Sequence, residues 1–256
     1  MTEQNKNVNV DADREKKVDK MDQPFSILMI LIIPLFAGVF IALCVFPLAG
    51  DWFWIEGWIF VAIFAVFAFL TTQSLNRKNP RVMRNRMKHR KERKMEEKKS
   101  EKASESDKFI LPIFGITFIL IFVISDLDHR LDWSKVFPFW LEIIGFIIMG
   151  VGFYIIHLST LQNAYASKVL DIREGQQLID TGLYDHIRHP LYSGALGMIL
   201  GIPLGLGSWW AIFPAIISIF GLIYRIKFEE QMLITGLEGY KEYRERVKYK
   251  LIPKIY

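Results

Sequence analysis

Within Gly182-Leu183-Tyr184-Asp185-His186-Ile187-Arg188-His189-Pro190-Leu191-Tyr192, five side chains can donate hydrogen bonds or stack on a flat ring: Tyr184, His186, Arg188, His189 and Tyr192. The segment ends where an apolar run begins, and ionisable groups at a membrane edge mark functional sites. Arg225 and Glu229 stand four apart at the end of a later apolar run, with Glu230 beside them. They share a helix face if that helix continues past the membrane. The plainer alternative is an exposed intrahelical ion pair, which contributes only a few tenths of a kcal/mol, on the order of 0.3. Placed together, a carboxylate, a guanidinium, an imidazole and tyrosines on adjacent helix ends can hold a polar cofactor while the lipid side admits a greasy substrate. His186 and His189 lack a third ligand, so no metal is expected there.

The elements that must position these residues follow from composition. The chain has 256 residues, 52% hydrophobic and 23% charged, and the two classes are segregated along it. Apolar blocks at 25–49, 52–74, 109–125, 137–158, 191–206 and 211–224 predict an all-α integral membrane protein with about six transmembrane helices. Short connections pair antiparallel neighbours, so the last two form a helical hairpin whose mouth gathers His189, Tyr192, Arg225 and Glu229. Pro190 suits the first turn of the fifth helix. Gly145, Gly150 and Gly152 in the fourth span and Gly197 and Gly201 in the fifth permit close helix approach. Residues 159–189 leave the membrane yet keep apolar punctuation, which predicts an ordered lobe on the same side. A C-terminal amphipathic helix carrying Tyr240, Tyr243 and Arg246 on one face follows the sixth span. The organisation is thus a polar tail (1–24) expected to be disordered, four spans (25–158) and a catalytic region (159–256).

Charge sets the expected orientation. The net charge of +5 is crowded between apolar blocks, above all in the basic stretch 77–108, as in a multi-pass membrane protein and not a nucleic-acid binder. That loop reads as cytoplasmic, with both termini on the same side; its role is a topology signal or an anionic-lipid or partner site. Asp126, Asp128, His129, Arg130 and Asp132 read as a short outward-facing loop whose spacing demands no metal. Glu56 reads as interfacial, the alternative being a buried functional carboxylate. The single cysteine, Cys44, reads as a buried small hydrophobe.

Leu178-Ile179, Thr181-Gly182-Leu183-Tyr184, Arg188-His189-Pro190-Leu191-Tyr192, Arg225, Glu229-Glu230, Tyr240-Lys241-Glu242-Tyr243, Arg246 and Ile252-Pro253 follow one another in an order that resembles the isoprenylcysteine carboxyl methyltransferases and the related membrane phospholipid methyltransferases. The resemblance covers roughly residues 160–256. It implies S-adenosylmethionine as methyl donor, in a cytoplasm-facing site above the hairpin, and a lipophilic acceptor, a prenylated carboxylate or another lipid. Carried over, it implies cofactor binding by Gln176, Gln177, Leu178, Ile179, Tyr184, Arg188, His189, Pro190, Leu191, Tyr192, Glu229 and Glu230, and catalytic or substrate roles for Arg225 and Arg246. Gln176 stands where the family often has histidine, and Gly236-Leu237-Glu238-Gly239 alters the family's turn. A carboxylate acceptor needs orientation by a guanidinium, whereas an amine needs a base, for which Glu229, Glu230 or His189 qualify. Alternatives of other kinds are an NADPH-dependent sterol-type membrane reductase and a non-catalytic membrane adaptor using the basic loop. The acceptor and the oligomeric state are not legible.

Overall fold

The computed structural model describes residues 23–80, 83, 105–163 and 176–255. Nearly all of the expected tail 1–24, most of the basic stretch 77–108 and part of the lobe lie outside the described residues. Among the described residues seven α-helices are formed: α1 (Ile27–Ala49), α2 (Ile55–Lys78), α3 (Glu105–Leu131), α4 (Phe139–Gln162), α5 (Pro190–Gly205), α6 (Ile212–Gly236) and α7 (Tyr240–Arg246), with a 3-10 turn at Gly182–Asp185. No strand occurs among the described residues. The all-α architecture is as expected.

Among the described residues four helices, α1, α2, α3 from Ile110, and α4, are long and apolar enough to cross a membrane. Leu31, Leu35, Phe36 and Phe40 on α1 are exposed, an arrangement that lipid, not water, stabilises. The α5 helix is apolar but has 16 residues. The α6 helix has 25, with its charges starting at Arg225. The expected fifth and sixth crossings therefore rest on one short helix and the apolar half of another.

Local chemistry sets the ends. Ser26 caps α1, whose first turn is tied to α2 because Asn76 Oδ1 accepts the Phe25 amide at 2.6 Å. Gly50, at φ +70°, ends α1 in the left-handed region that glycine tolerates best.

The most extensive helix pair is α4 on α5. A Cβ on Gly152 would lie 2.6 Å from the Gly194 carbonyl oxygen, and one on Gly201 2.6 Å from the Gly145 carbonyl oxygen. The two backbones touch through facing glycines, which gives α5 the rigid base a site needs. Gly150 does not take part and meets nothing within 4 Å, because it lies on the opposite side of α4 from this seam. The core between the helices is closed by Phe46, Phe60, Ile121, Met149, Ile199, Ile202 and Ile226.

Three expectations are corrected. Cys44 is exposed; α1 is apolar all round, so its composition marks no face, and Ala42, Val45, Phe46 and Ala49 are the residues turned inward. The stretch Asp126–Arg130 is helical, not a loop, since α3 runs on to Leu131. Asp126 and Asp128 are buried; Asp128 is drawn in by serines from neighbouring loops, described below. Finally, the helix after Arg225 does not run to the C-terminus. It continues as α6 to Gly236, breaks at Leu237–Gly239, where Gly239 has φ +78°, and resumes as the short α7. The connection between α5 and α6 is short, so the expected hairpin forms, with Gly207 at φ +71° in its turn.

Candidate active site

At the open end of the α5–α6 hairpin, Pro190 occupies the first turn of α5 with His189 as the residue before it. This fixes where the preceding Arg188 and His189 meet α6. The Tyr192 hydroxyl, one turn into α5, donates to Glu229 Oε2 on α6 at 2.5 Å. That bond joins two residues read as cofactor-binding from sequence. Arg225 lies one turn before Glu229 on the same helix, half-buried, as the i, i+4 spacing requires.

Beneath this surface lies a buried charge network. The Arg188 guanidinium donates through Nε to Glu230 Oε1 at 2.7 Å and through Nη1 to the Val247 and Lys248 carbonyls at 2.6 and 2.8 Å. Lys250 Nζ approaches Glu230 Oε2 at 2.8 Å. The backbone continues the attachment: the Arg188 and His189 amides donate to the Tyr249 and Lys250 carbonyls, and Ser193 Oγ to the Leu251 carbonyl at 2.6 Å. Residues 247–251 thus form a strap across the start of α5. Burial alone would raise the Glu230 carboxyl; the nearby His189 imidazole and the Lys250 and Arg188 donors outweigh this and hold it well below its ordinary range. Arg188 and Glu230 are 6% and 5% exposed, so their polar groups serve the protein's interior.

His189, 5% exposed, differs. Its Nε2 is 3.5 Å from Glu230 Oε1, too long for a good hydrogen bond, and makes none. Tyr184 is buried and its hydroxyl is pushed up to about 12 by burial. The Tyr243 hydroxyl donates to the Tyr184 carbonyl at 2.7 Å, which ties α7 to the 3-10 turn. That turn is also held by Gln162 at the end of α4, whose Oε1 accepts the Leu183 amide at 3.0 Å. Gly182 at φ +65° passes so close to Gln162 that a Cβ would sit 2.6 Å from its Nε2.

The segment Gln176–Asp180 lies against α7. Leu178 packs with Tyr240, Tyr243 and Val247. Arg246 Nη2 donates to Asp180 Oδ2 at 2.6 Å, with both side chains partly exposed. Gln177 is exposed, while Gln176, Ile179 and Leu191 are half-buried. Of the sequence-predicted residues, Tyr192 bonds Glu229 at the hairpin mouth with the His189 ring 5.7 Å from that of Tyr192, and Arg188 and Glu230 hold the strap below them. Sequence reasoning missed Lys250, Ser193 and Gln162, whose roles depend on chain crossings with no local signature.

Among the described residues no cluster of three or more His, Cys, Asp or Glu side chains could hold a metal ion.

Residues 140–238, spanning α4, the 3-10 turn, α5 and α6, match the phospholipid methyltransferase family model. The chain is also similar to Delta(14)-sterol reductase TM7SF2 of Mus musculus, at 33% identity over 85 residues, 32% of this chain and 20% of that protein. The chain thus matches about a fifth of the length of this curated relative.

Proposed function

With residues 140–238 matching the phospholipid methyltransferase family model, we propose that the protein transfers a methyl group from S-adenosylmethionine to a lipophilic acceptor at the α5–α6 mouth. The observation that carries this reading is the Tyr192–Glu229 bond across the hairpin, with the buried, unsatisfied His189 Nε2 beside it. A fixed carboxylate suits the ammonium or the ribose hydroxyls of that cofactor, and a buried imidazole nitrogen without a hydrogen bond is a group awaiting a ligand. Bound S-adenosylmethionine would supply an electrophilic methyl on a sulfonium. The chain's own residues would bind and align: Glu229 and Tyr192 fix the polar end, while His189, Pro190, Leu191, Tyr184 and residues 176–179 wall the site and exclude water.

The favoured acceptor is a carboxylate such as that of a prenylated cysteine, oriented by Arg225 or Arg246. The Arg246–Asp180 pair would then open to release that guanidinium. A phospholipid amine is the alternative. The basic stretch 77–108 and the lysines and arginines after Arg225 support a cytoplasmic location for this end and both termini. Incubation with labelled S-adenosylmethionine and either a farnesylcysteine or a phosphatidylethanolamine acceptor tests the proposal. Label in one of the lipid products supports it and identifies the acceptor class. No transfer to either, from protein that stays folded, contradicts it.

The similarity to the sterol reductase favours one second reading, reduction of a lipid double bond by NADPH. Oxidation of NADPH on addition of a Δ14-sterol, without S-adenosylhomocysteine production, would select it.

A further inference from the structure

Around the Glu229–Glu230 pair almost every polar group is engaged: Arg188 on Glu230 and two carbonyls, Tyr243 on Tyr184, Tyr192 on Glu229, Ser193 on Leu251. Two buried atoms here make no hydrogen bond, His189 Nε2 and the Tyr240 hydroxyl. Tyr240 is the first residue of α7, is 3% exposed, and its hydroxyl makes no hydrogen bond. Its ring rests against Tyr243, with centroids 5.6 Å apart, and is enclosed by Leu178, Leu233, Ile234 and Leu237. Burial, and next the charge of Glu230, hold its proton on, so the hydroxyl is a committed donor. A buried donor left without an acceptor destabilises a protein by roughly 1–3 kcal/mol, and one retained at a candidate site asks for an acceptor that arrives with the ligand.

Resting on the methyltransferase reading, we infer that the Tyr240 hydroxyl is a further binding residue that recognises the α-carboxylate of the cofactor's amino-acid end. The juxtaposition fits a zwitterion. Glu229 supplies the negative partner for the ammonium, and the unsatisfied Tyr240 hydroxyl and His189 Nε2 supply donors for the adjacent carboxylate. A nucleoside lacking the amino acid would leave both donors unused.

The test pairs one substitution with two probes on the full-length protein in detergent: wild type and Tyr240→Phe, titrated with S-adenosylhomocysteine and with 5′-methylthioadenosine, which lacks the amino-acid end. The proposal predicts that Tyr240→Phe weakens S-adenosylhomocysteine about tenfold and leaves 5′-methylthioadenosine unchanged, with a Tm equal to or above that of wild type. Equal weakening of both probes, or of neither, overturns the assignment. A lowered Tm of the unliganded variant also overturns it, because the hydroxyl then has a partner within the protein. If wild type binds neither probe, it is the methyltransferase reading itself that fails, which is distinguishable from a wild type that binds and a variant that does not differ.

Discussion

Two buried carboxylates sit at opposite ends of the helix bundle, and their surroundings differ. Asp128, near the C-terminus of α3, accepts from the Ser134 amide and hydroxyl at 2.7 Å each and from the Ser208 hydroxyl at 2.5 Å. The two serine oxygens in turn accept the Trp209 and Ala211 amides at 3.1 Å. Each of these donors is used, and the cluster clasps α3, the 132–138 loop and the α5–α6 turn, although the buried Ser125 hydroxyl and Asp126 carboxylate just before it on α3 make no hydrogen bond. Glu230, at the other end, is equally well tied to Arg188 and Lys250, yet His189 Nε2 and the Tyr240 hydroxyl beside it stay unsatisfied. A satisfied polar cluster is a structural fastener, whereas one with buried donors to spare is built for a ligand.

The comparison is broken most severely by removing Arg188. Arg188→Ala leaves Glu230 buried with less of its counter-charge and frees the 247–251 strap, and a loss of about 3–5 kcal/mol of stability is expected. Thermal unfolding should show it, with ligand binding lost as well. Asp128→Ala should cost about 2–4 kcal/mol by stranding two serine hydroxyls, but the surviving folded protein should bind cofactor as wild type does. If instead Asp128→Ala abolishes binding without lowering Tm, the contrast between the two ends is wrong.

Glu229→Ala sharpens it from the other side. Glu229 is half-buried and holds only the Tyr192 hydroxyl among its described hydrogen bonds. Its removal should weaken S-adenosylhomocysteine about 10–100-fold, by loss of a charged partner, while changing Tm little. Acid provides a milder probe. The Glu230 pKa is lower folded than unfolded, so its contribution is complete above the ordinary carboxylate value of 4.5 and is lost as pH falls below it toward the folded value. Tm should be insensitive to this group from neutral pH to about 5 and then decline, a decline reduced in Glu230→Gln. The smallest effect belongs to the exposed Arg246–Asp180 pair. Asp180→Asn should change stability by less than about 1 kcal/mol, and by freeing Arg246 it should lower the KM for a carboxylate acceptor if that guanidinium orients the substrate.

The helices were legible because their signals are local. Hydropathy located the starts of α1 to α6 to within a few residues, though not the ends of α3 and α6; Pro190 marked the start of α5, and the i, i+4 spacing of Arg225 and Glu229 placed both on α6. Glycines in the fourth and fifth blocks announced the α4–α5 seam, although spacing alone did not separate Gly150 from Gly145 and Gly152. What failed did so where burial is decided by neighbours distant in sequence. A row of charges at Asp126–Arg130 looks like a loop until Ser134 and Ser208 are seen to satisfy Asp128. Cys44 looks buried only if a uniformly apolar helix is assumed to be surrounded by protein. The candidate site was legible as a set of residues, but not its layering, because the partners of Arg188 are carbonyls of the C-terminal strap and backbone carbonyls carry no sequence signature.

The most direct test of the central claim is calorimetric titration of S-adenosylhomocysteine into detergent-purified wild type, His189→Ala and Glu229→Ala. The account predicts micromolar binding by wild type and its loss in both variants with their folds intact, placing the ligand at the α5–α6 mouth. Binding that survives both substitutions, or its absence in well-folded wild type, would contradict it.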